Sequence, residues 1–159
     1  KFNYTIQFII YIYSMICNTN NWGPPLWGII HLLTILVYME KKNIEKLKKF
    51  LESLQYLLPC QYCRDHYIEN FNIYLKNGTE WRKEIFSSKK IIIYCMIILH
   101  QKVNIQNNKN IYSIHHYYNY WMNKKFKKKH LKIYINKLKM CNNIPPDIFS
   151  LIDKVKIMD

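Results

Sequence analysis

The sequence predicts an all-α protein, a four- to five-helix bundle with an additional helical C-terminal extension. Three observations predict it. Apolar residues recur at spacings of 3 and 4 through most of the 159 residues, the period of a helix with one buried face. Gly and Pro are scarce, at 3 and 5 residues, which argues against a β-sandwich, a collagen or a Gly-rich phosphate-binding fold. Capping residues stand where the periodic runs begin, and Asn-Asn or Asn-Gly pairs where they stop. With 14 Tyr, 7 Phe and 4 Trp against 21% charged residues, the chain is globular rather than disordered and long enough for one core.

The elements follow in order. Tyr4 to Cys17 is an apolar run interrupted by Gln7 and Ser14, shorter than the ~20 residues of a membrane span. It reads as an N-terminal helix or docked segment, residues 1–21. The cluster Asn18-Thr19-Asn20-Asn21 separates it from the next run. Pro24-Pro25 is expected in the first turn of a helix, where proline is tolerated. Trp27, His31 and Tyr38 then fall on one face of it, and Leu26, Ile29, Ile30, Leu33 and Val37 make it apolar almost all round, as a central helix is. Asn43 is expected to cap a second helix carrying Leu47, Phe50, Leu51, Leu54 and Leu58 on its inner face. Pro59 and the run through Tyr67, Phe71 and Leu75 place a third helix start at Cys60 to Cys63, and Asn77-Gly78 reads as its stop. Ser87 or Ser88 caps a fourth helix that reaches Gln106, where Asn107-Asn108 breaks the pattern. An aromatic segment runs from Tyr112 to Trp121. Residues 122–159 form a basic helical extension with an amphipathic stretch to Met140 and a short last helix opened by Pro145-Pro146. Strand signals are weak throughout.

The formal net charge of +14 admits nucleic acid or an anionic surface as partner. However, 22 Lys stand against 2 Arg, and the excess of Lys, Ile, Asn and Tyr follows A/T-rich codons. Arg is the better reader of bases and phosphates, so specific nucleic-acid binding is not expected. The run Lys124 to His130 reads as a solvated face.

Five cysteines are present, and only Cys60 and Cys63 form a C-x-x-C. The spacing has three readings: a redox dithiol, half of a zinc site, or a static bridge. A helix N-terminus at this point favours a thiolate, which suits redox work. A thioredoxin fold does not fit, since no βαβ pattern surrounds the motif. For zinc, His66 lies beside the pair and His100, His115 or His116 would complete four ligands, but no second C-x-x-C or H-x₃₋₅-H partner exists. Cys17, Cys95 and Cys141 read as inert thiols, and His115 and His116 as surface or packing residues.

Three motifs stand in order: Trp22-Gly23-Pro24-Pro25-Leu26-Trp27 with His31 four residues on, then Leu58-Pro59-Cys60-Gln61-Tyr62-Cys63, then His100-Gln101-Lys102-Val103-Asn104, followed by Lys109 and Trp121. This series, from about Trp22 to Trp121, resembles the Erv/ALR family of FAD-dependent sulfhydryl oxidases. The resemblance implies a helical domain over residues 22–121 that binds FAD at one end of the bundle, and a homodimer. Cys63 would be the flavin-proximal cysteine and Cys60 the one attacked by a substrate thiolate. Gly23, Trp27, His31, Tyr38, His66, His100, Val103, Asn104, Lys109, Tyr112 and Trp121 would hold the cofactor. The reaction implied is oxidation of a protein dithiol, such as that of a thioredoxin-like or virion protein, with O₂ taking the electrons and H₂O₂ as product. Gln101 replaces the family's usual Asn. Ile97 and Ile114 occupy the positions of a structural disulfide found in many members, and no second, shuttle C-x-x-C exists. A short, shuttle-free form of A/T-rich composition is similar to those of large DNA viruses, which implies the host cytoplasm or the virion as its place.

Overall fold

The computed structural model describes residues 18–123, 127–141, 143–155 and 157. The apolar run Tyr4 to Cys17, and Lys124 to Phe126 of the basic run, lie outside the described residues. Within them the architecture is helical, as the periodicity predicts. The elements are α1 (Thr19–Leu36), α2 (Lys41–Leu57), α3 (Gln61–Leu75), β1 (Lys76–Asn77), β2 (Glu80–Trp81), a 3₁₀ turn (Lys83–Phe86), α4 (Lys89–Gln106), α5 (Ile114–Met122), α6 (Lys127–Lys139) and α7 (Pro146–Lys154). No described helix is long and apolar enough to cross a membrane.

Helix α1 is the central element. From Leu26 to Leu36 every residue but Trp27 is buried. It packs against α2, α4, α5 and α6, while α3 lies between α2 and α4, and α7 covers α2. The core runs from Trp22 and Ile29 through Phe50, Leu54 and Phe71 to Met96 and Ile97. Such burial is the main driving force available to the fold.

Local details correct several expectations. The Asn18 to Asn21 cluster opens the helix: Asn18 is the N-cap of α1, its Oδ1 accepting from the Asn20 amide at 3.0 Å, and Thr19 to Asn21 form its first turn. Pro24-Pro25 therefore falls in the second turn rather than the first. The carbonyls that these prolines leave without a helical donor belong to Asn20 and Asn21, which are exposed and thus solvated. Glu40, not Asn43, is the N-cap of α2; Asn43 is buried inside the helix and donates back to Glu40 Oε2 at 3.2 Å. Helix α3 ends at Leu75, and the chain goes on into a short antiparallel hairpin in which Asn77 pairs with Glu80 and Gly78-Thr79 makes the turn. Gly78 has φ +64°, a conformation in which a side chain is strained. Ser88, not Ser87, caps α4, accepting from the Ile91 amide, and Asn108 takes φ 52° in the break that follows α4. The prolines at 145 and 146 open α7 as expected.

Tyr38 does not extend the Trp27–His31 face. The helix stops at Leu36, with Val37 in extended conformation and bridged to Ile157. The helical period thus ends before Tyr38 and cannot carry its side chain onto that face.

Candidate functional site

A cavity of about 500 Å³ opens where α1, α3, α4 and α5 meet, within the range of small-molecule and cofactor sites. Its walls bring together Gly23, Trp27, Cys63, His66, His100, Val103, Asn104, Lys109, Tyr112 and Trp121. The sequence motifs thus converge across more than ninety residues of chain. Tyr38 is not among the lining residues.

The sulfur pair sits at the start of α3. Cys60 is the N-cap, and its Sγ accepts from the Cys63 amide at 3.3 Å. This is the geometry that Pro59 and the following apolar period predict. Arg64 braces the approach by donating to the Leu58 carbonyl and, at 2.6 Å, to Gln61 Oε1. Cys63, in the first turn of the helix, forms part of the cavity wall; Cys60 does not. Both residues are half-buried and neither is in a disulfide.

Opposite chemistry holds the second group, a stack of four rings. His100 lies flat on Trp27, with ring centres 4.2 Å apart and 7° between planes. His31 stacks on Trp121 at 4.7 Å. The two histidines join the halves through His31 Nε2 and His100 Nδ1, 2.9 Å apart. His31 stands behind the wall, with 1% of its surface exposed. Burial, and then the neighbouring His100, push its pKa well below the ordinary 6.5. Burial, with Lys109 second, pushes His100 down to about 3. Both rings are neutral at pH 7, so in their mutual bond one donates and the other accepts, which couples the two tautomers.

The loop between α4 and α5 closes one side. It is clipped to α4 twice, by the Lys109 amide on the Asn104 carbonyl at 2.8 Å and by Gln101 Nε2 on the Tyr112 carbonyl at 2.6 Å. The residue that departs from the family motif therefore has a structural task here. Lys109 Nζ lies 3.5 Å from Asn20 Oδ1. Trp22 Nε1 and His66 Nδ1, both of residues lining the cavity, are buried without a hydrogen-bond partner among the described residues. Buried polar atoms in this state point to a group that completes them.

Several wall residues have no binding role assigned from the sequence: Trp22, which opens the first motif, and Tyr117, Tyr120 and Tyr134. Tyr134 comes from α6, beyond the expected end of the domain at residue 121. Its helical register with Leu131 and Leu138 is visible in the sequence, but the partner of that face is not. His115 is exposed and bonded to Asn119 at 2.9 Å; His116 is exposed, stacks on Tyr112 and reaches the cavity. Cys95 and Cys141 are absent from the lining, and Cys17 lies outside the described residues. Among the described residues no three His, Cys, Asp or Glu side chains gather closely enough to share a metal ion. The zinc alternative of Cys60, Cys63 and His66 thus has no assembled ligand set.

Residues 24–140, nearly three quarters of the chain, match the Erv1/Alr family. No curated protein and no solved structure matches the chain. The family match, the helical fold and a dithiol turn abutting an aromatic cavity agree, and the chain belongs to the Erv1/Alr family, known as FAD-linked sulfhydryl oxidases.

Proposed function

We propose that the protein forms disulfide bonds in protein thiols through Cys60 and Cys63, with FAD in the aromatic cavity and O₂ as final acceptor, giving H₂O₂. The observation that carries this reading is the division of the sulfur pair: Cys63 in the cavity wall, Cys60 outside it. The fit to FAD rests on the donors and faces present. Trp27, His100 and Trp121 offer aromatic surfaces to planar rings, and Gly23 and Val103 add wall without bulk or charge. Trp22 Nε1 awaits an acceptor, His66 Nδ1 offers a donor or an acceptor according to its tautomer, Asn104 adds an amide, and Tyr112 stands at the rim. Lys109 provides the cation for a diphosphate. His31 acts from behind, as the residue that positions His100 and Trp121.

In the proposed cycle a substrate thiolate attacks Sγ of Cys60 in the Cys60–Cys63 disulfide. The S–S bond breaks, and Cys63 leaves as a thiolate in the first turn of α3, whose amide dipoles stabilise the charge. A second substrate thiol, losing its proton, attacks the mixed disulfide and releases the product disulfide and Cys60. The chain is left with a dithiol, two electrons and two protons richer. Bound FAD supplies the two-electron acceptor for that dithiol and the route to O₂.

Absorption of the purified protein tests the cofactor, with the flavin band at about 450 nm and FAD released on denaturation as the expected result. Peroxide formed from dithiothreitol and O₂ tests the reaction. A folded, colourless protein that refuses added FAD overturns the proposal. The homodimer implied by the family belongs to the same proposal, and a monomeric mass in solution removes it.

A further inference from the structure

We propose that α6, which lies beyond the sequence motifs, completes the flavin cavity, and that Tyr134 is a flavin-binding residue seated by the missing side chain of Gly28. This inference rests on the proposed flavin reading. Helix α6 is amphipathic: Leu131 and Leu138 are buried and Tyr134 half-buried on one face, with Lys128, Lys129 and Lys132 exposed on the other. Its apolar face lies along α1, the most extensive helix pairing among the described residues.

Glycine inside a helix costs about 1 kcal/mol relative to alanine, so a mid-helix glycine asks for a packing reason. At Gly28 the reason is the Tyr134 ring. A methyl group on Gly28 would stand 2.7 Å from both Cδ2 and Cε2 of Tyr134 and 2.9 Å from Cγ. No rotation of a far, flexible tip relieves such a contact, because the clash includes the ring's root. Gly28 and Tyr134 both line the cavity, and the Tyr134 ring centre is 6.4 Å from that of Trp121. The ring therefore fills the gap between α1 and Trp121 as a further aromatic wall. A purely structural role, anchoring α6, needs the Leu131 and Leu138 contacts but not a ring at the cavity.

Titration of the apo-protein with FAD, read by flavin fluorescence, separates the roles, with the melting temperature of each apo-variant alongside. Tyr134→Ala is expected to weaken FAD binding by about tenfold or more, the value of one good aromatic contact. Tyr134→Phe, which keeps the ring, recovers most of it. Gly28→Ala weakens binding in the wild-type background and adds nothing in the Tyr134→Ala background, because the clash is gone. Leu138→Ala, on the same buried face but outside the cavity, lowers the melting temperature and leaves FAD affinity in place. Wild-type affinity in Tyr134→Ala overturns the inference, as does an equal loss in Leu138→Ala. A wild type that takes up no FAD removes the flavin reading itself, and this inference with it.

Discussion

The first turn of α3 and the ring stack joining α1, α4 and α5 share one cavity but are built in opposite ways. The sulfur pair is local: two half-buried cysteines within four consecutive residues, held by one hydrogen bond from an amide and a bracing arginine. The histidine pair is non-local: His31 and His100 are 69 residues apart and stacked between two tryptophans, His31 fully buried and His100 half-buried in the cavity wall. Under the proposed function the difference follows from what each would do. A sulfur that exchanges with substrate has to be reached from outside, so it cannot be locked in a core. A ring that shapes a cofactor cavity has to stay still, so it is paid for by burial. Substitutions at the two places are therefore expected to break different quantities.

The largest effect is expected at the sulfurs. Cys60→Ser and Cys63→Ser each remove one half of the exchanging bond, and dithiol-dependent peroxide formation should fall by at least about a thousandfold. Folding should barely notice, with stability changed by less than about 1 kcal/mol at these half-exposed positions. A variant that turns over at the wild-type rate breaks the proposed cycle, and one that unfolds breaks the contrast with the histidines.

At the histidine pair the balance is reversed. His31→Ala opens a void and leaves a buried ring nitrogen of His100 without its partner, a cost of about 2–4 kcal/mol in a denaturant melt. The same pair carries a pH signature. Both folded pKa values lie below the unfolded 6.5, so below pH 6.5 the unfolded chain binds more protons than the native one. Stability from these rings is complete above pH 6.5 and is lost as the pH falls from there towards about 3, where His100 titrates in the fold. Melting curves across this window should show a shallower acid slope in His100→Gln than in the wild type. Identical slopes would mean that the rings are not buried neutral.

Between these extremes lies the α4–α5 loop. Gln101→Ala deletes the bond to the Tyr112 carbonyl and frees one end of the loop that carries Lys109. Losing one hydrogen bond of about 1 kcal/mol corresponds to roughly fivefold weaker FAD binding. Gln101→Asn, the residue usual in the family motif, tests whether a side chain one methylene shorter still spans to that carbonyl. Unchanged FAD affinity in Gln101→Ala would show that the Lys109–Asn104 clip holds the loop alone.

What the sequence made legible tracks the same local and non-local divide. The α3 start at Cys60 could be read because Pro59, the cap and the apolar period lie within a few residues. The helices and the central place of α1 could be read from apolar spacing. The prolines at 24 and 25 were misplaced by one turn because Asn18 wins the cap and water serves the carbonyls they leave open. The hairpin turned by Gly78-Thr79 is not legible because a glycine at this place ends a helix or turns a hairpin equally well, and only the end of α3 at Leu75 decides between them. Tyr38 was placed by extending a helical period past the point where the backbone becomes extended. The bond from His31 to His100 and the seat of Tyr134 on Gly28 are products of packing between distant segments, and no local pattern encodes them.

The smallest effect is expected at the remaining described cysteines, and it sharpens the comparison most directly, since the atom is the same and only the place differs. Cys95 is half-buried on α4, and burial pushes its thiol pKa up. Cys141 follows α6, donates to the Lys137 carbonyl at 3.5 Å, and its thiol is likewise pushed up by burial. A raised pKa means less thiolate at neutral pH, and the thiolate is the nucleophile. Neither residue reaches the cavity. Cys95→Ser and Cys141→Ser should therefore keep peroxide formation within about twofold of wild type, and both thiols should alkylate slowly at pH 7. A large loss of turnover in either variant would mean that electrons travel through a third sulfur, and that the division of labour between Cys60 and Cys63 is incomplete.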